Sequence, residues 1–132
     1  MIMGKIFEFD CQVYPLRLWV VVKPRIEELI ARFEIIDEDD YTKFEPFDEN
    51  TIKPYWGACN ICVRDKGTGL VGCLIAVMRP LSTTVGLVAH ESSHAYDWFS
   101  ELLNISQYGE TRAYLTEWIA NRVWEVKSGK VK

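Results

Sequence analysis

His90 and His94 are the two histidines of the chain, four residues apart with Glu91 between them in the run His90-Glu91-Ser92-Ser93-His94. On a helix that spacing places both imidazoles on one face, about one turn apart, where two ring nitrogens can share one tetrahedral zinc ion (Zn2+). Glu91 projects to the neighbouring side. From there it can hold a water beside the metal and accept its proton without being a ligand, which is the general-base role in metal-assisted hydrolysis.

Such a site needs a helix, and the flanking residues supply one. Ser82, Thr83 or Thr84 can cap its start, Leu87-Val88-Ala89 and Ala95 give it an apolar, closely packed body, and the pattern continues to about Leu103. Gly86 costs helix stability unless close packing needs it. A second helix is expected over Gly109 to Val126. Trp98, Phe99, Leu102, Leu103, Trp118, Ile119 and Trp124 recur on the two helices at helical spacings and read as core.

Upstream, alternation of apolar and polar residues suggests a strand over Lys5 to Tyr14, and Leu18 to Val22 suggests another beyond Pro15. Pro24 suits a first helical turn, and Ile26, Leu29, Ile30 and Phe33 predict an amphipathic helix from about 24 to 34. Trp56 to Arg64 and Leu70 to Met78 flank Asp65-Lys66-Gly67-Thr68-Gly69, whose glycines can supply positive φ, so the pair reads as a β-hairpin. The expected order is β, β, α, β, β, α, α. This is an α+β fold in which a small sheet packs against the active-site helix and the helix after it.

At 132 residues, 48% of them hydrophobic, the chain suits a single domain with one core, spanning 1–132. A net charge of −4 gives no general attraction to nucleic acid or to an anionic membrane surface, which excludes those partners as a first expectation. Acids within the first ten residues argue against an export signal, and the longest apolar runs are strand-length, too short to span a bilayer. A cytoplasmic protein with reduced cysteines is expected. Cys59 and Cys62 form a C-x-x-C, but in a strand residues three apart point to opposite faces, so their sulfurs would not converge on a metal.

Between Glu34 and Asn50 there are eight acids against the single base Lys43. A calcium loop of EF-hand type needs glycine at its sixth position, and counting from Asp37 the sixth is Thr42, so a solvated acidic loop without a specific metal is expected. Asp97, three residues past His94, is placed to orient an imidazole or else to face solvent. Tyr114 is a candidate hydrogen-bond donor to a developing oxyanion, although a core tyrosine with a satisfied hydroxyl is the commoner outcome. Lys127, Lys130 and Lys132 form a short basic end that reads as solvated.

The chain resembles the gluzincin type of zinc metallopeptidase, whose pattern is H-E-x-x-H followed by a glutamate ligand on a second helix. Val88-Ala89-His90-Glu91-Ser92-Ser93-His94-Ala95 and the later Glu110-Thr111-Arg112-Ala113-Tyr114-Leu115 are similar to small metallopeptidases encoded by phages and prophages. The resemblance covers mainly residues 80 to 125. It implies a minimal zincin-like domain with His90 and His94 as ligands, Glu91 as base and acid, Glu110 as third ligand, and water in the fourth position. Gluzincins place an asparagine before that glutamate and an aspartate after it, and this chain carries Gly109 and then Tyr114 instead. Glu117, seven residues on, shares the face of Glu110, and an antiparallel helical hairpin would set it level with His94. A steep crossing of the helices would favour Glu110.

The expected activity is hydrolysis of a peptide bond in a peptide or protein substrate, with zinc as cofactor. The alternative is a non-catalytic, zinc-stabilised module on a zincin scaffold that binds a phage or host protein. Retention of Glu91 argues for catalysis, because a structural site has no need of a base beside its ligands.

Overall fold

A computed structural model describes residues 2–12, 14–106 and 108–131. Val13, inside the expected first strand, and Lys132, at the end of the basic tail, lie outside the described residues. The elements are β1 (Ile6–Asp10), β2 (Arg17–Val22), α1 (Ile26–Arg32), β3 (Phe33–Ile36), β4 (Phe44–Pro46), β5 (Ala58–Asp65), β6 (Val71–Val77), a 3-10 turn at Pro80–Ser82, α2 (Val85–Leu103) and α3 (Gly109–Lys127).

The strands form one mixed sheet in the order β1-β2-β6-β5-β3-β4. β2 and β6 run parallel, and the other neighbours are antiparallel. Leu18, Val20, Val22, Cys73, Ile75 and Val77 meet α2 and α3 on one face. Trp19, Val21, Leu74 and Ala76 meet Leu29 of α1 and Phe33, Phe47 and Ile52 on the other. Burial of both faces explains why β2 and β6 read as continuous apolar runs rather than as alternating ones. Among the described residues no helix is long and apolar enough to cross a membrane.

The β5–β6 hairpin forms as its turn sequence predicts. The Asp65 carboxylate accepts from the backbone N–H groups of Gly67 (2.8 Å) and Thr68 (3.2 Å), and Gly69 takes φ +75°. β3 and β4 depart from expectation. Phe33 fits the helical spacing of α1, yet its backbone is extended (φ −118°, ψ 151°), and it starts a strand paired with β5. Arg64 of β5 binds Glu34 of β3 (2.6 Å) and stacks on Phe44 of β4 (3.9 Å to the ring centroid). Pairing with neighbours remote in sequence thus draws strands out of a segment whose charge reads as loop.

Gly72 shows how tightly the parallel pair is set. A Cβ there would lie 1.9 Å from the carbonyl oxygen of Arg17 and 2.9 Å from its nitrogen, both backbone atoms that cannot rotate away. Gly72→Ala is therefore expected to cost about 3 kcal/mol and to lower Tm by about 10 °C, as calorimetry would measure. An unchanged Tm would show that β2 shifts freely against β6.

Candidate metal and catalytic site on α2

α2 starts where its capping residue dictates. Thr84 is the N-cap, its hydroxyl accepting from the Leu87 N–H at 3.1 Å, and Asn104 ends the helix in the left-handed region with φ 54°. Gly86 has room for a methyl, with only Thr84 Oγ1 at 3.6 Å, so close packing does not explain it. The close approach is at Gly57, where a Cβ would meet Leu87 at 3.0 Å.

Val88, Ser92, Ala95, Tyr96 and Phe99 form the buried side of α2. His90 and His94 come out on the opposite, exposed side, with ring centroids 4.6 Å apart and planes at 81°. The helix is buried as expected, but its imidazoles face solvent. Glu91 turns from them toward the sheet and is only 8% exposed. Asn60 of β5 donates from Nδ2 to Glu91 Oε2 at 2.5 Å. Glu91 Oε1 has no hydrogen-bond partner among the described residues.

Sequence reasoning did not single out Asn60. Its signal is a half-buried amide on the helix-facing side of β5 between Ala58 and Cys62, a polar group that seeks a partner. Arg112 was missed in the same way. It donates from Nη1 to Asp97 Oδ1 (2.6 Å) and from Nη2 to Ser93 Oγ (2.7 Å), so this residue of α3 faces α2. Asp97 is therefore bound to a guanidinium rather than to an imidazole.

That contact, with Leu115, Ile119, Val123 and Val126 buried in the core, shows how α3 is rolled. Around a helix of 3.6 residues per turn, Glu110 and Tyr114 each stand about 200° from Arg112, and Glu117 about 140°. Glu110 and Tyr114 accordingly lie together beside Tyr14, in a separate shallow depression. Tyr114 is 64% exposed and is not a core tyrosine. The structure does not bring Glu110, Glu117 or Tyr114 to the imidazoles. Among the described residues, no group of three or more His, Cys, Asp or Glu side chains is placed to hold a metal. The two imidazoles suit one zinc ion as donors, while the third donor expected from α3 is absent from the pair.

A cleft of about 810 Å³ runs beside His94, between α2 and the outer strands. Its far wall comes from the acidic stretch, which is ordered by its own turns. Asp37 accepts from the N–H groups of Asp39 (2.8 Å) and Asp40 (3.3 Å), and Tyr41 donates to Glu101 of α2 (2.9 Å) while stacking on Trp98 at 5.2 Å. The bond to Glu101, with partial burial, holds the Tyr41 phenol above its ordinary pKa. The expectation of a solvated loop is thus corrected: part of the stretch is strand, and part packs on α2.

Cys59 and Cys62 point to opposite faces of β5, as their spacing requires. Cys59 lies in the core beneath α1, and Cys62 lies opposite Cys73 on the helix side. Burial pushes the Cys59 thiol up to about 12, and burial with the neighbouring Cys73 pushes Cys62 up as well. Neither is poised as a thiolate at neutral pH.

No family model, no curated protein and no solved structure matches this chain.

Proposed function

We propose that the protein is a zinc-dependent hydrolase, and specifically a peptidase, working in the cleft beside α2. The observation that carries this reading is the disposition of Glu91. It is a nearly buried carboxylate, held on one oxygen by Asn60 and unbonded on the other, on the same helical turn as two exposed imidazoles. A carboxylate seated only to fasten helix to sheet would be expected to use both oxygens.

His90 and His94 would hold the metal, which when bound supplies a Lewis acid for the substrate carbonyl and lowers the pKa of water. Asn60 fixes the orientation of Glu91, and Glu91 Oε1 takes the proton of the attacking water and returns it to the leaving amine. β4 is one of the two edge strands of the sheet, and its Glu45 lines the cleft, so an extended peptide can add along this edge.

Incubating the full chain with a denatured protein mixture, with zinc and then with a chelator, tests the reading. New peptide termini are expected with zinc and not with chelator. The missing third donor favours a second reading, a non-catalytic module that binds a protein partner, and absence of cleavage in both arms would select it.

A further inference from the structure

The cleft beside His94 is chemically one-sided. Asp37, Glu38, Asp39 and Glu45 come from the β3–β4 region and Asp97 and Glu101 from α2, and among the described residues no lysine or arginine lines it. Three of these acids have other work. Asp97 is paired with Arg112, Asp37 caps its own turn, and Glu101 accepts from Tyr41. The carboxylates of Glu38, Asp39 and Glu45 have no ion pair or hydrogen bond among the described residues. Uncompensated charge inside a concave wall focuses its field into the cleft, where it draws in cations and repels anions.

The kind of cation follows from the spacing and from the aromatic floor. The carboxylates share one cleft, yet no three converge closely enough to hold a metal ion, so they suit a charge spread along a chain. Trp98, braced by Tyr41, adds a π face to the same cleft, which favours an ammonium or guanidinium group. We propose that the cleft binds a basic peptide, with lysine or arginine side chains seated between the acidic β3–β4 wall and Trp98. This names a substrate class for the proposed peptidase and rests on that reading only for the consequence of binding.

The test measures binding without turnover. The full chain carrying Glu91→Gln, in chelator, is titrated into a fluorescein-labelled decapeptide alternating lysine and glycine, and into its glutamate counterpart, with anisotropy as readout. The lysine peptide is expected to bind at least about tenfold more tightly at low salt, with the advantage shrinking in 0.5 M salt. Glu38→Gln, Asp39→Asn and Glu45→Gln together are expected to weaken it about tenfold, from three exposed pairs of ordinary strength. The same charge change made outside the cleft, by Glu27→Gln, Glu28→Gln and Glu49→Gln, is expected to cost less than about twofold.

Equal affinity for the two peptides, no detectable binding of either, or equal losses in the two triple variants would each overturn the proposal. Binding retained in a protein that cleaves nothing would sink the peptidase reading alone. Cleavage with no preference for basic peptides would sink the basic-peptide proposal alone.

Discussion

Glu91→Gln is expected to reduce zinc-dependent peptide hydrolysis by about 10²- to 10⁴-fold, the range for losing a positioned general base. Glutamine preserves the length and shape of the side chain, and its amide oxygen can still accept from Asn60 Nδ2, now 2.5 Å from Glu91 Oε2. The seating of α2 on β5 should therefore survive, with Tm shifting by no more than about 3 °C. What disappears is the second oxygen as a proton acceptor, replaced by an amide that can only donate. Rates measured on a peptide shown to be cleaved by the wild type, with Tm and zinc affinity followed in parallel, separate the two roles. Unchanged turnover would reduce Glu91 to a strut between helix and sheet. Lost turnover accompanied by a large fall in Tm would leave the two roles entangled, and Asn60→Ala resolves that case. It removes the donor and keeps the carboxylate, so it should destabilise the protein yet retain more activity than Glu91→Gln.

Local signals carried much of this architecture. Thr84 caps α2 because its hydroxyl replaces a missing helical acceptor, and the Asp65–Gly69 turn closes β5 on β6 through bonds within five residues. The pairing of His90 with His94 is equally local, since it depends only on helical pitch. β3 and β4 were not legible, because Glu34 looks like a solvent-facing acid until Arg64 and the edge of β5 are brought to it from some thirty residues away. The position of Glu110 was illegible for a related reason. Its spacing from Glu117 places both on one face of α3, but which face meets α2 depends on the roll of the helix. The buried stripe Leu115, Ile119, Val123 and Val126, together with the long-range bonds of Arg112 to Asp97 and Ser93, sets that roll.

His94→Ala is expected to weaken zinc binding by more than about 100-fold, and His90→Ala by a similar factor, larger than the loss of a residue that merely supports a ligand. Competition with a chromophoric chelator measures both. The same assay on Glu110→Ala and Glu117→Ala should show changes within about threefold, because Arg112 points into α2 and the two glutamates stand well around the helix from it. Glu110 instead shares a depression with Tyr14 and Tyr114 on the far side of α3. Arg112→Ala links the outcomes. Without Arg112, α3 loses a polar tie to α2, and Asp97, three residues from His94, is released from its ion pair. Zinc affinity should then stay level or rise. If Glu110→Ala instead abolishes binding, metal must turn α3 against its ion pair. In that case Arg112→Ala should strengthen zinc binding in the wild type and have no effect in the Glu110→Ala background. The double-variant comparison therefore separates a two-imidazole site from one that recruits its third donor by rolling the helix.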